Sequence, residues 1–426
     1  MGVLSRRRWL LIVFGGLAVS VLSFHAREGL EPIPLREWSG PVELVADPQD
    51  LPGRVVVDVA SDVGRLQMVV PRSLTSSIRA APAGRRFFVR GSLREVTNPE
   101  RVAYRHVRMA LTVTELSEMA PHSLWRLPVD LVRGAILRGA QALPLEQQPI
   151  YSGFVIGDDR GSDGEIVAAF ETSGLTHLLV VSGQNVVFII AVLTPLVSRL
   201  RRRQRIVVHS VVLVLFAAVT RFEPSVLRAT TMALVAVLGA GSGRPLDVQR
   251  RLALAVSVLI VIDPLLVESL GFRLSVAATL GISFLAVPIA KRLVGPTWLR
   301  QVLSVTIAAQ VAVAPLIIPI FGPLPLASLP ANVLAEPVAG FVMMWGSSVG
   351  LLAGAIGGTP AVVLQTPVRL GVWWIMAVAD WCVGLPLPRL SLQMISIIFC
   401  CSMSGVWMKS LWIRQRSARQ RRTSAG

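Results

Sequence analysis

The rhythm of hydrophobic and polar positions changes repeatedly along this chain. Behind Arg6, Arg7 and Arg8, residues 9–24 form one apolar run that reads as an uncleaved first anchor rather than a removed signal segment. Between 40 and 119 the apolar runs become short and β-rich, separated by Pro, Gly, Asp and Asn. Stretches 42–45, 55–59, 66–70, 87–93 and 107–113 read as five strands, a number and spacing that suit a small closed barrel of the OB type. Residues 129–142 have amphipathic helical spacing with Arg133 and Arg138 on the polar side, which fits a helix lying at a membrane interface. Nine longer apolar stretches follow, at 178–198, 206–220, 225–241, 252–268, 271–290, 301–320, 330–356, 361–384 and 391–412. With the anchor they make about ten spans near the ~20 residues that a bilayer requires.

The expected fold is therefore a polytopic α-helical membrane protein with a small extracytoplasmic β-barrel, OB-like, near its N-terminus. Its parts are an anchor and linker (1–39), the β domain (40–119), interfacial linker helices (120–173), a transmembrane domain (174–413) and a basic tail (414–426). Stretch 330–356 is long and carries Pro330, Asn332, Glu336 and Pro337 early, so it is expected to begin as a re-entrant or unwound piece.

Composition agrees with a membrane protein, at 53% hydrophobic and 16% charged residues. The net charge of +17 invites a nucleic-acid interpretation, but half of the 42 basic residues sit at the ends of apolar runs with Asp247 as the one acid among them. The positive-inside rule accounts for those, placing both termini and the basic loops in the cytoplasm and the β domain outside the cytoplasmic membrane. Cys382, Cys400 and Cys401 lie in the last apolar stretches and read as packing residues, and the five histidines are scattered, so no metal or cofactor is expected.

Chemistry has to be sought in the polar exceptions. Segment 174–196, GLTHLLVVSGQNVVFIIAVLTPL, is broken at Ser182, Gly183, Gln184 and Asn185. Inside a bilayer such a break survives only where protein or water satisfies the freed backbone groups. A charge at the centre of a span costs about 3 kcal/mol, so Arg228 in PSVLRA and Arg273 in GFRLS are placed at a conduit, with Glu336 as a partner. Candidate channel-lining residues are thus His177, Ser182, Gly183, Gln184, Asn185, Arg228, Arg273, Asn332 and Glu336. Glu223, Asp263, Glu268 and Asp380, near the outer ends of spans, read as interfacial or structural ion pairs, and that reading stands open for Arg228 and Arg273 too; Arg221 is a further polar exception there. In the β domain Arg85, Arg86, Phe87, Arg90, Arg94, Tyr104, Arg105 and Arg108 form a candidate single-strand face, arginines tracking phosphates and rings stacking on bases. The plainer alternative makes Phe87 or Phe88 barrel core and the arginines a solvated surface. The knot Gly157-Asp158-Asp159-Arg160-Gly161 is expected to be a self-satisfied turn rather than a cation site.

The order VIGDDRG, FETSGLTHLLVVSGQNV, FEPSVLRATTMALVAVLG, DPLLVESLGFRLSVAATLGI and PLASLPANVLAEPVAGF resembles the ComEC family of competence proteins. The resemblance implies an inner-membrane channel that passes one strand of DNA into the cytoplasm during natural transformation, with an OB-like domain outside. It implies single-stranded DNA, an extracytoplasmic DNA receptor and a separate helicase-like motor as partners, the last because no GxxxxGK[ST] loop is present. A separate nuclease and a homodimeric pore stay open. Many members continue into a metallo-β-lactamase-like domain, and here no HxHxDH cluster occurs, so no enzyme activity is expected. Two alternatives compete: a transporter for another anionic polymer or solute, and an intramembrane hydrolase built from Ser182 with His177 or His209.

Overall fold

The computed structural model describes residues 19 and 21–390, apart from 32–33, 35, 52, 80, 98, 120–125 and 242–245. Most of the anchor, the stretch 391–412 and the tail 414–426 lie outside the described residues. Helix α1, residues 21–28, leads into the β domain.

All five expected strands form. They are β1 (Glu37–Leu44), β3 (Arg54–Ser61), β4 (Gly64–Pro71), β5 (Arg86–Arg94) and β6 (Val107–Glu118), with a short β2 (Gln49–Leu51) folded back on β3 as a hairpin. The order β1-β5-β6-β4-β3 closes on itself through β1–β3, and every pairing in the barrel is antiparallel except β4 with β6. Because side chains in a strand alternate between faces, β5 buries Phe87, Val89 and Leu93 and turns Phe88, Arg90 and Arg94 outward. At the bulge between Arg90 and Gly91 the backbones come so close that a Cβ on Gly91 would lie 2.2 Å from the Thr112 carbonyl oxygen, which only glycine avoids.

Behind the one-turn α2 (Pro99–Val102) the body is helical: α3 (Leu127–Ala140), α4 (Gln148–Ile156), α5 (Gly164–Ser173), α6 (Thr176–Leu179), α7 (Gly183–Leu196), α8 (Arg202–Val219), α9 (Pro224–Gly241), α10 (Val248–Ile262), α11 (Leu270–Ala290), α12 (Thr297–Phe321), α13 (Ser328–Trp345), α14 (Leu351–Ile356) and α15 (Gly358–Val383). Among the described residues four helical stretches are long and apolar enough to cross a membrane: α11, α12, α13 continued into α14, and α15. Helices α7 and α9 are apolar but shorter.

Two expectations about this body change. Stretch 330–356 does not start unwound, because Pro330 falls in the first turn of α13, where its missing N–H has no partner to lose. The irregularity comes later, in a π turn at Gly346–Gly350, where the hydroxyls of Ser347 and Ser348 donate to the carbonyls of Met343 and Met344 at 2.7 Å. Helix α3, in turn, does not float Arg133 on a polar side. It packs against α14, so tightly that a Cβ on Gly354 would lie 1.7 Å from the Ala135 carbonyl oxygen, and Arg133 is only 4% exposed.

Arg133 is buried because it helps to hold the barrel. Asp47, in the loop after β1, is paired with Arg133 and, at 3.1 Å, with Arg221 of the α8–α9 loop. Arg133 also binds Asp158 at 3.0 Å, and Arg160 grips both oxygens of Asp158 at 2.7 Å. Gly157 makes this geometry possible by capping α4 at a φ of 71°, which folds Asp158 back beneath the helix end. The GDDRG knot is thus a charge-satisfied turn, and it serves as a dock. Burial alone would raise the Asp47 carboxyl, but Arg133, Arg221 and Arg160 outweigh it and hold the group at about 2.

A second contact joins His106, in the turn before β6, to Asp263 at 2.9 Å, while Arg27 of α1 pairs with Glu268 and the Ser23 hydroxyl donates to the Pro264 carbonyl. Arg221, Asp263 and Glu268 therefore pair with the N-terminal third of the chain rather than with one another. All three stand at the ends of α8 and α10 remote from the Arg201–Arg205 and Arg250–Arg251 clusters, so the barrel docks at the end of the body opposite those basic loops.

Candidate functional site: a broken helix inside a helical ring

Helix α7 is the fourteen-residue remnant of what the sequence offers as one span. The chain leaves α5 through Gly174, makes the single turn α6, runs extended through 180–182 and starts again at Gly183. Ser182 is the N-cap, its hydroxyl accepting the Gln184 amide N–H at 3.2 Å. The break therefore precedes the position expected for it by about two residues: Gln184 and Asn185 are already helical. Neighbouring protein satisfies the opened backbone, since the Ser225 hydroxyl donates to the Val181 carbonyl at 2.8 Å. Asn185 is 1% exposed and donates to the Phe154 carbonyl at 2.7 Å, so it ties α7 to α4 instead of lining a path.

The new start of α7 lies within the body, beside the first turns of α9: Ser225 bonds Val181, Arg228 reaches Gly183, and the Gln184 side chain extends to Gly340 of α13. Around this point contacts run from α7 to α9, from α9 to α11, α11 to α12, α12 to α13, and α13 back to α7, closing a ring of five helices. Between α7, α12 and α13 opens a cavity of about 550 Å³ whose polar lining is Gln184, Gln301 and Glu336, among apolar groups such as Phe188 and Phe341.

Arg228 occupies the other side of the α7 start. It is 7% exposed, and its Nε donates to the Ser275 hydroxyl of α11 at 2.9 Å while Nη1 lies 2.9 Å from the Met232 sulfur. No carboxylate pairs with it among the described residues, so the expected partnership with Glu336 does not form; α7 stands between them. Its Nη2 comes within 2.5 Å of where a Cβ on Gly183 would be, so a glycine is what lets the guanidinium approach the helix start. Arg273 is separate from this cluster. It is exposed near the start of α11 and donates to the Glu268 carbonyl at 3.2 Å, next to the barrel dock. Asn332 is buried in α13 with its Oδ1 unbonded, and His177 is exposed beside the Gly174 carbonyl. Neither His177 nor His209 is bonded to Ser182: His209 engages the Arg205 carbonyl at 2.7 Å.

On the barrel the eight candidates separate. Phe87 is fully buried core, because the two-residue period of β5 sends it inward; the exposed ring is Phe88, at 46%. Arg85 pairs with Glu118, Arg86 with Glu43 at 3.2 Å, Arg90 with Glu115 at 4.0 Å and Arg105 with Asp58 at 2.7 Å. Arg108 donates to the Val63 carbonyl at 3.0 Å, and Arg94 is exposed at the end of β5. Arg105, with its neighbours Tyr104 and His106, belongs to the loop between β5 and β6. In OB barrels this loop and the one after the first strand flank the ligand face. Here both are engaged with or next to the helical body, through His106 and Asp47.

Sequence reasoning missed Ser275, Gln301 and the dock residue Asp47. Ser275 stands in the GFRLS motif two positions after the arginine that drew attention, whereas nothing local marks Asp47 among the other loop acids.

A family profile described as Competence protein matches residues 154–417. Among curated proteins, ComE operon protein 3 of Bacillus subtilis (strain 168) is 26% identical over 250 residues, covering 58% of this chain and 32% of that protein, so the match spans about a third of the relative's length. No solved structure matches. Residues 154–417 take in the broken helix, Arg228 and the whole described ring, and on that match the chain belongs to the competence protein family.

Proposed function

We propose that this membrane protein carries a strand of DNA across the cytoplasmic membrane during natural transformation, through the ring formed by α7, α9, α11, α12 and α13. The observation that carries this is the short helix α7, one wall of the ring, starting within the body beside the buried Arg228, with a mostly apolar groove that holds Gln184, Gln301 and Glu336 on its other side. A simple anchor gains nothing from such a break. A polyanion moving past it finds fixed positive charge in place of the water it has shed. The barrel, docked opposite the basic loops, stands outside if those loops follow the positive-inside rule. Energy comes from a separate cytoplasmic motor, and an external receptor delivers the DNA.

The test is to delete the gene in a transformable host and follow labelled DNA. Loss of label from the cytoplasm with surface capture intact is expected, by tenfold or more; label arriving at the normal rate would sink the proposal. The competing transporter for another anionic solute predicts that normal rate.

A further inference from the structure

We infer that the loop between α8 and α9 is a latch: with the barrel docked, it holds the start of α7 closed against α9. The inference goes beyond the channel proposal and rests on it only for what an opened path would carry. A ring that admits a polymer has to be shut when no polymer is present, or the membrane leaks ions.

Among the described residues, three other than glycine have a positive φ: His106 at 59°, Arg221 at 58° and Phe222 at 55°. All three lie where the barrel meets the body. The left-handed region crowds Cβ against the backbone, so such residues persist where their surroundings enforce the conformation. Helix α8 ends in a turn whose Phe222 N–H donates to the Ala217 carbonyl at 2.7 Å, and Arg221 takes the position that glycine ordinarily fills. What Arg221 offers that glycine lacks is a grip on the barrel. Its Nη2 and Nε donate to the two carboxylate oxygens of Asp47 at 3.1 and 3.4 Å.

This strained pair stands directly ahead of the residues that clamp α7. Ser225, in the first turn of α9, holds the Val181 carbonyl at 2.8 Å, and Val226 shares a buried core with Val181 and with Phe216 of α8. Gly183 then fits so closely that a Cβ there would lie 2.5 Å from Arg228 Nη2 and 3.0 Å from the Ala229 Cβ, so α7 and α9 leave no opening between them at this point. Without the Asp47 pair nothing across the dock enforces the left-handed turn at Arg221. The turn relaxes, the first turn of α9 shifts with it, and the hold on 181–183 loosens. The docked barrel is thus an autoinhibitory contact.

The experiment uses the full chain in lipid nanodiscs carrying Ser182→Cys, Cys400→Ser and Cys401→Ser, and reads how fast a charged methanethiosulfonate modifies the introduced thiol. Cys382 of α15, 1% exposed, stays as an internal gauge of general loosening. Asp47→Asn and Arg221→Gln are each expected to speed modification at least fivefold with Cys382 untouched. Arg221→Gln keeps the Asp47–Arg133 pair, and it decides the matter if Asp47→Asn does not fold. Asp263→Asn breaks the His106 contact, which lies outside the loop, and is expected to leave the rate within twofold. A wild-type rate in Arg221→Gln, an equal rise in Asp263→Asn, or Cys382 reacting in step overturns the inference. If labelled DNA needs the chain but the rate ignores Arg221, the latch falls and the channel stands. If the rate follows Arg221 while labelled DNA ignores the chain, the channel falls and the link between barrel and broken helix remains.

Discussion

The barrel and the helical ring treat arginine in opposite ways. On the barrel, Arg85, Arg86, Arg90 and Arg105 each stand against a carboxylate, and most of those pairs are open to water. In the ring, Arg228 is buried with a hydroxyl and a sulfur and, among the described residues, no carboxylate. The density of basic residues, which draws attention to the barrel in the sequence, therefore marks the region whose charge is mostly cancelled. Between the two lies a third arrangement, the Asp47 dock, where one acid serves two arginines and holds the regions together.

Breaking that dock should have the largest effect. Asp47→Asn keeps the shape and removes the charge, leaving Arg133 with Asp158 alone and Arg221 with no acid among the described residues. Removing one partner of a buried pair costs about 3–5 kcal/mol. The barrel is expected to separate from the body, seen as faster limited proteolysis that releases the β domain and a lower thermal midpoint in the full chain. Unchanged proteolysis would mean that packing and His106–Asp263 hold the barrel without it.

Acid probes the same contact more gently. The Asp47 carboxyl is held at about 2, below its ordinary 3.8, so its contribution is fully present above about pH 4 and is lost as pH falls through 2. A shift of that size is on the order of 2 kcal/mol. Barrel release followed against pH should rise between 4 and 2 in the wild type, and Asp47→Asn should lose that step while keeping any other.

Arg228→Met turns the comparison around. Exchanging a buried charge with no carboxylate among the described residues for an apolar side chain of similar length should stabilise the protein by about 1–2 kcal/mol. The thermal midpoint of the full chain would rise. A fall would show that Ser275 and Met232 satisfy the guanidinium where it stands.

How much of this was legible in the sequence depended on whether the cause was local. Strand periodicity located all five barrel strands, because alternation between core and water is written in each strand separately. It also contained the answer for Phe87, whose neighbours Val89 and Leu93 share its face; aromatic character drew it into the single-strand face against its own period. The polar break in 174–196 was visible, yet its position was off by about two residues, since Ser182 can cap a helix or interrupt one and only the neighbours decide. Arg228 and Glu336 were both found as exceptions in apolar spans, but whether α7 stands between them is a property of helix packing. Asp47 was invisible for the same reason: its two partners lie 86 and 174 residues away.

The smallest effect is the one that sharpens the contrast most. Arg90 and Glu115 face each other at 4.0 Å on the barrel surface, 65% and 70% exposed. Such a pair contributes at most a few tenths of a kcal/mol, so Arg90→Ala should leave the thermal midpoint within error. Its consequence for nucleic acid is different from that of its partner. While Glu115 is present, an approaching phosphate must displace or repel it, and Arg90 adds little to binding of an oligothymidylate by the full chain. Glu115→Gln frees Arg90, and each additional arginine that neutralises a phosphate on a single strand steepens the dependence of log affinity on log salt by about 0.7. If the barrel touches the strand at all, Glu115→Gln should steepen that dependence and Arg90→Ala should leave it nearly unchanged. Identical slopes in both variants would place the barrel beside the path of the strand, with the ring alone in contact with its phosphates.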